Sequence, residues 1–392
     1  MRNKVIYMLD KLVMGNNHVM FNSAISLIIA RIYKDHQVIF TGESTHINQV
    51  AQNNSFIENL VCRSYEELPL PQSNIKKLLP WIKKKLGDLL YIEKFYRRTK
   101  KDGAAIFFTC LSTTSLYYAC LRFRNSRKPV YFVLHGEVEF IFKKDARLVD
   151  KVKGRIYRAT LGMMEKHMHC IVLSDIVKMA LEKKQVLTSE RIIAIDHPIV
   201  DRQITHSALN ADTIIFAHIG SAMQKKRSEL FWELADKFRN ESIQRKSEFS
   251  VIGKLDPEFV GLATDSVKVL SENNQSISQE KYEQFIHNAD YAVFTFDNDN
   301  YVYRVSGALM DAILYGKPII ALRQDYIEYL FQVGGNIGFL CDNMDKMQEL
   351  IKRLINKEPV LLEQYTVQQQ RLKALKEMFS VKSVAEQLNK QL

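Results

Sequence analysis

The run YVYRVSGALMDAILYGKPIIA (Tyr301–Ala321) compresses a turn, a helix and a strand into one stretch, with polar residues where a ligand would be held. Ser306 and Gly307 precede Ala308, Leu309, Ala312 and Ile313, apolar residues that recur at helical spacing. They stand at a helix N-terminus, where unpaired backbone N–H groups and the helix dipole favour an anion such as a diphosphate. Asp311 falls roughly one turn in, close enough to accept hydrogen bonds from a ribose. A solvated or capping carboxylate is the plainer reading of the same residue. Gly316, Lys317 and Pro318 stop the helix and open the next strand.

A second candidate follows the apolar run TIIFAHIG. Gly220 permits a tight strand-to-helix turn, and Lys225, Lys226 and Arg227 then fall at the start of a helix expected over Lys225–Arg239. A phosphate site and a solvated basic helix end both fit that spacing. The chain has no GxxxxGK[ST] loop and no GxGxxG, so neither a P-loop nor a dinucleotide fingerprint is supported. Asp297, Asn298 and Asp299 place two carboxylates two residues apart, a spacing that can hold a divalent ion with substrate phosphates. Lying just after a strand, they read as loop polarity, and no metal site is expected.

These residues need strand ends and helix starts to hold them. Short apolar strands at Val5–Leu9, Gln37–Phe40, Ala104–Thr109, Val130–Leu134, Cys170–Leu173 and Arg191–Ile195 alternate with helices such as His18–Lys34, Thr114–Arg124 and Ser174–Lys184. After a polar stretch, Ile195–Asp212, the alternation restarts with TIIFAHIG, FSVIG, SVKVL, YAVFTF, PIIAL and IGFLC. The expectation is α/β, with parallel doubly wound sheets in an N-terminal domain over 1–200 and a second over 201–375. The tail reads as two helices, the last, in 376–392, packing back on the first domain. Ligands in such sheets sit beyond the carboxyl ends of the strands.

The 392 residues are 46% hydrophobic, enough for two full cores. Five cysteines without a Cys-x-x-Cys pair suggest neither a zinc site nor a disulfide framework, and a reducing cytoplasm is the simpler setting. The N-terminal run is too short for a signal-peptide core, and no stretch approaches the ~20 apolar residues of a membrane span. Charge is uneven: residues 1–200 carry 32 Lys+Arg against 18 Asp+Glu, while 201–392 carry 23 against 26. The basic half seeks an anionic partner. Within it, Asn74–Lys101 holds ten Lys/Arg, two acidic residues and interleaved Leu, Ile, Trp, Tyr and Phe. Such a segment can lie on an anionic membrane surface; a solvated helix face and nucleic-acid binding use the same ingredients. A membrane surface is the expected partner and nucleic acid is not.

The run SGALMDAILYGKPIIA, followed by VGGNIGFLCDNMDKMQELIKRLI, resembles the C-terminal nucleotide-sugar domain of GT-B glycosyltransferases, in the group with a Glu-x7-Glu pattern (group 1, family 4-like). HCIVLSDIVKMALEKKQVLTSERIIAIDHPIV is similar to the end of that group's first domain, so the likeness spans most of residues 130–355 in family order. It implies two Rossmann-like domains facing across a cleft. Position by position, Asp311 takes the place of the second Glu, at the ribose, and Lys226 that of the Lys at the donor diphosphate. Gly15 and Asn16 match the N-terminal glycine loop, and His135, in VLHGEVEF, the His that faces the transferred sugar. The first Glu falls on Tyr303, and the Arg usually found after the glycine falls on Ser221; Arg304 is a substitute cation.

The resemblance implies a glycosyltransferase that moves a sugar from a UDP- or GDP-sugar to a glycan or lipid-linked acceptor in bacterial cell-surface polysaccharide synthesis, such as capsule or lipopolysaccharide. The setting would be cytoplasmic, peripheral on the inner membrane. Lys226, Arg304 and the N–H groups at Ser306 and Gly307 would stabilise the leaving diphosphate without metal or cofactor. His135 would orient the sugar or act as a base, with Glu137 and Glu139 as rival bases and a purely structural His135 as the plain alternative. A non-catalytic nucleotide-sugar-binding scaffold and a nucleotide-sugar epimerase on the same fold remain open beside it.

Overall fold

The computed structural model describes residues 5–15, 18–65, 78–143, 148–200, 202, 209, 212–262, 265–271, 277–298, 301 and 303–392. Asn16 of the glycine loop, the start of the basic segment (74–77) and Asp299 lie outside them. The chain divides into one unit of Met1–Asp201 with Phe379–Leu392, and a second of Arg202–Met378.

In the first unit the order is β1 (Val5–Asp10), α1 (Val19–Ile32), β2 (Gln37–Gly42), α2 (Ser44–Asn53), β3 (Leu60–Ser64), α3 (Leu78–Asp102), β4 (Gly103–Cys110) and α4 (Thr113–Phe123). It continues through β5 (Val130–Val133), α5 (Glu139–Phe142), α6 (Leu148–Gly162), β6 (Met168–Val172), α7 (Asp175–Lys183) and β7 (Ile192–Ala194). The sheet is parallel in the order β3-β2-β1-β4-β5-β6-β7. Its centre is apolar on both faces because helices cover both, as a parallel sheet requires. Phe107 stacks on Tyr131 at 4.5 Å and Phe108 on Phe132 at 5.1 Å between ring centroids, locking neighbouring strands side chain to side chain. β3 escaped sequence detection because it is an edge strand, LVCRS, with no fully buried residue to give it an apolar run.

The second unit runs β8 (Ile214–Ile219), α8 (Glu229–Lys237), α9 (Arg239–Ile243), β9 (Ser247–Ile252), β10 (Lys268–Val269), α10 (Gln279–Asn288) and β11 (Tyr291–Phe294). Then come α11 (Gly307–Leu314), β12 (Ile319–Leu322), α12 (Asp325–Gly334), β13 (Gly338–Cys341), α13 (Met344–Ile355) and α14 (Pro359–Met378). This sheet is also parallel, in the order β10-β9-β8-β11-β12-β13. Both sheets reverse winding direction next to their first strand, between β1 and β4 and between β8 and β11. A crevice opens at the carboxyl ends of such strand pairs; Gly15 follows β1, Gly220 and Lys226 follow β8, and Tyr303 to Asp311 follow β11.

The basic helix α3 is partly a structural element. Asp88, Ile92, Phe95 and Thr99 are buried, Asp88 pairs with Lys11 at 3.1 Å, and Glu93 ties Arg97 and Arg122. Lys94, Arg97, Arg98, Lys100 and Lys101 face outward with Leu86 and Leu90. Among the described residues no helix is long and apolar enough to cross a membrane.

After α14 the chain returns to the first unit, where α15 (Val381–Asn389) packs on α1. Every residue of α1 from Phe21 to Ala30 is buried, so that helix needs cover beyond the sheet. Phe379, Val384 and Leu388 supply it, each fully buried, and Gln387 exchanges hydrogen bonds with Asp196 through its backbone N–H (3.0 Å) and carboxylate (2.9 Å). Removing residues 379–392 should therefore lower the stability of the first unit by about 5 kcal/mol, from the apolar side chains alone. Chemical denaturation of the truncated chain, followed by α1-sensitive hydrogen exchange, checks this; an unchanged midpoint would contradict it.

Candidate functional site

The residues singled out in the second unit converge on the β8 and β11 strand ends. Gly220 ends β8 with φ +84°, a conformation that favours glycine. A Cβ there would lie 3.2 Å from Lys226 Nζ and 3.3 Å from Ala308 Cβ, so the missing side chain lets the ammonium and the start of α11 meet. Gly253, just past β9, matters equally and was not singled out by sequence reasoning. Its φ is +157°, and a Cβ would fall 2.4 Å from the Gly220 carbonyl oxygen. The available signal was the repeat of an apolar strand ending in Gly, IIFAHIG and FSVIG.

Lys225 and Lys226 do not begin the helix, as the spacing suggested. Gln224–Lys226 form a 3-10 turn, Arg227 is left-handed at φ 51°, and α8 starts only at Glu229. The turn is tied from both sides. Thr295, beyond β11, donates its hydroxyl to the Lys226 and Arg227 carbonyls (3.2 and 2.9 Å). Ser228 Oγ accepts the Met223 N–H (3.0 Å) and meets His218 Nε2 at 2.9 Å, and burial drives the His218 pKa down to about 3, with Lys226 adding to the effect. His218 is therefore a neutral strut beneath Lys226. Arg227 donates to Asp297 at 2.6 Å, and Asn298 pairs with Asp325, so the first two residues of the acidic triplet brace loops. Among the described residues no group of three His, Cys, Asp or Glu could hold a metal ion.

Ser306 is buried and its carbonyl accepts the first helical bonds of α11, from Leu309 and Met310, but its side chain makes no capping bond. Gly307 is exposed, and a Cβ on it would meet nothing within 4 Å. Arg304 lies over the Tyr301 ring at 5.5 Å, and Tyr303, at the place of the first family carboxylate, is half-buried at φ 47°. Asp311 is half-buried on α11 and accepts from the Tyr282 hydroxyl at 2.7 Å. Tyr282, on α10, was missed because one tyrosine in a polar helix start carries no spacing signal.

Burial decides the electrostatics. It lowers the Lys226 pKa to about 8, with Asp311 opposing and Arg304 assisting the shift. It raises the Asp311 pKa to about 6, against the Tyr282 hydrogen bond, Lys226 and Arg202. A cation and an anion, each costly to keep charged, stand near one α-helix N-terminus. That combination suits a ligand carrying both anionic oxygens and hydroxyl donors.

In the first unit, Gly15 follows β1 and is clamped: its N–H donates to Glu43 Oε2 (3.2 Å) and its carbonyl faces His46 Nδ1 (3.0 Å). Burial alone would raise the Glu43 pKa, yet backbone donors from Thr45, His46 and Gly15 and the Ser44 hydroxyl bring it down to about 2. Asn22 donates to both Asp10 and His46 at 2.7 Å, linking the loop to a fully buried carboxylate at the end of β1. His135, after β5, places Nε2 2.7 Å from the Thr109 carbonyl; a neutral ring then carries its proton on Nε2, leaving Nδ1 as the basic nitrogen. Its ring packs at 5.1 Å from His18 and 4.7 Å from Phe21, and His197 lies 5.1 Å from Phe21. Glu137 is half-buried and Glu139 buried beside it in sequence.

Because the folded state raises the Asp311 pKa from its unfolded value near 4 to about 6, it holds more protons than the unfolded chain between those values, and stability falls as pH rises through the window. The expected outcome is that Asp311→Asn stabilises the nucleotide-free protein by about 1 kcal/mol above pH 6, after allowance for partial exposure, with the gain vanishing below about pH 4. Urea titrations of both proteins at pH 4 and pH 7.5 measure it; a gain independent of pH would contradict the assignment.

Neither the protein-family models nor the curated protein sequences give a match. Solved structures do. Anabaena HepE in complex with UDP aligns with a TM-score of 0.67 at 13% identity, over 99% of this chain and 98% of that one. Sucrose-phosphate synthase from Thermosynechococcus elongatus aligns at 0.69 and 15% identity, over 99% and 98%. A UDP-N-acetylglucosamine 2-epimerase aligns at 0.55 and 13%, over 95% and 91%. With two parallel-sheet α/β units, of seven and six strands among the described residues, the chain has the GT-B fold.

Proposed function

We propose that the chain is a GT-B glycosyltransferase of the Glu-x7-Glu group that takes a sugar from a UDP- or GDP-sugar and passes it to a glycan or lipid-linked acceptor in cell-surface polysaccharide synthesis. The observation that carries the reading is the convergence of Lys226, Gly220, Ala308 and the start of α11 around one backbone crossing, with Asp311 on the same helix. HepE has been crystallised with UDP and with UDP-glucose, which favours uridine for the donor.

Breaking a sugar–phosphate bond places growing negative charge on the leaving diphosphate. Fixed donors aimed at that charge lower the barrier, since they need no reorganisation as it develops. Here Lys226, Arg304 and the N–H groups at Ser306 and Gly307 fill that role, with no metal required. Asp311 holds the ribose, which fixes where the phosphates lie along the helix dipole. In the first unit Glu43 and His46 hold the Gly15 loop at a strand end, and His135 carries the orienting or basic nitrogen. An acceptor hydroxyl needs such a group within hydrogen-bond reach.

A diphosphate beside Lys226 restores the ammonium that burial disfavours, so binding near pH 8.5 should take up protons. Calorimetry of UDP in buffers of different ionisation enthalpy should show this uptake, together with a roughly tenfold or greater loss of affinity in Lys226→Ala. Absence of binding to UDP, GDP and their sugars would defeat the reading. Two observations favour other outcomes: Tyr303 and Ser221 replace a carboxylate and a cation, as a non-catalytic scaffold would tolerate, and an epimerase shares the fold. Binding without turnover points to the first, and an altered nucleotide sugar formed without acceptor to the second.

The acceptor side of the reading includes a peripheral site on an anionic membrane through the basic segment 74–101, of which residues 85–101 have described side chains. Exposed Leu86 and Leu90 beside Lys94, Arg98 and Lys101 support it, each such cation contributing about 1 kcal/mol near an anionic surface. Changing Lys94, Arg98 and Lys101 to Gln should release the protein from phosphatidylglycerol vesicles while leaving UDP affinity intact; unaltered sedimentation would remove this element.

A further inference from the structure

We propose that Tyr282 and Asp311 form a two-part acceptor for the ribose of the nucleotide, each taking one of its two hydroxyls. The inference rests on the donor-site reading of Asp311 and goes past it, since nothing in the motif pattern assigns Tyr282 a role. Tyr282 Oη stands 2.7 Å from Asp311 Oδ2. An ionised carboxylate can only accept, so the tyrosine donates and the direction of the bond is fixed. The tyrosine oxygen keeps its own lone pairs for an incoming hydroxyl, and Asp311 Oδ1 presents a second acceptor next to it. A ribose offers two hydroxyl donors on adjacent carbons.

The chain shortening at this position makes the partner necessary. Aspartate is one methylene shorter than the glutamate of the pattern, and a carboxylate drawn back toward its helix reaches less far into the site. The hydroxyl of Tyr282 adds an oxygen on the neighbouring helix. It stays protonated across the working range because burial raises its pKa, reinforced by the Asp311 charge.

Tyr282 is held in place from both ends of α10. Ser278 caps the helix by accepting from the Lys281 N–H at 3.3 Å. Glu283, the next residue, is bound by the Arg202 guanidinium and by Gln279 Nε2 at 2.7 Å. At the other end buried Lys317, from the Gly-Lys-Pro break, donates to the His287 carbonyl at 2.7 Å. A helix pinned at both ends fixes where the hydroxyl sits relative to α11, and a merely space-filling tyrosine would not need its oxygen on that one carboxylate.

The test is calorimetric binding of UDP, 2′-deoxy-UDP and 3′-deoxy-UDP to the full-length protein and to Tyr282→Phe and Asp311→Asn. Phenylalanine keeps the ring, so a thermal melt should be nearly unchanged. The expected result is a roughly five- to tenfold loss of UDP affinity in Tyr282→Phe, with affinity for one of the deoxy analogues unchanged within about twofold. Asp311→Asn should show the same indifference toward the other analogue. Equal losses for all three ligands in Tyr282→Phe, or no loss for any, would overturn the pairing while leaving the donor site standing. Wild-type protein that binds neither UDP nor GDP would overturn both.

Discussion

Two strand ends approach so closely at Gly220 and Gly253 that a side chain would clash with backbone at Gly253 and be strained at Gly220, and the rest of the second unit's candidate site depends on that crossing. A Cβ on Gly253 would overlap the Gly220 carbonyl, and one on Gly220 would press on Lys226 and Ala308. The backbone is what packs there, so the ammonium and the first turn of α11 come together without a spacer. The 3-10 turn, the left-handed Arg227 and the Thr295 hydroxyl hold that arrangement rather than create it.

The electrostatic pattern follows from the same crowding. Lys226 and Asp311 are shifted in opposite directions by the same cause, loss of water, and their mutual attraction only partly offsets it. A structural ion pair would show a carboxylate pulled down and an ammonium pulled up, as for groups whose partners outweigh desolvation. The contrast with Glu43 is instructive. It too loses water, yet four donors hold it firmly ionised, and its work is to clamp the Gly15 peptide. One carboxylate is saturated and structural; the other is undersupplied and placed where a ligand could complete it.

Much of this was legible in the sequence because parallel strands buried on both faces read as unbroken apolar runs. VIYML, AAIFFT, TIIFAHIG and YAVFTF all became central strands, and the helix expected over Thr114–Arg124 forms one residue earlier, as Thr113–Phe123. What failed was one-sided or tertiary. β3 lacks a buried run, and the helix expected from Lys225 starts later because a left-handed residue interrupts it. Tyr282, the Glu43–Gly15 clamp and the Asp10–Asn22–His46 chain join residues 12 to 29 positions apart, and no local spacing encodes such a pairing. Gly253 was readable in principle, from the repeat of strand-then-glycine, and only its partner across the crossing gives it meaning.

The return of the last helix to the first unit has a temporal side. Residues 379–392 close α1, yet in synthesis they follow every residue of the second unit. Domains generally fold as units while the chain emerges. The second unit can therefore be complete while α1 still shows an apolar flank, and the first unit is finished only when the C-terminal segment arrives. A chain arrested between Met378 and Leu392 would carry a folded half and an uncovered one, which is the kind of species that chaperones and proteases recognise.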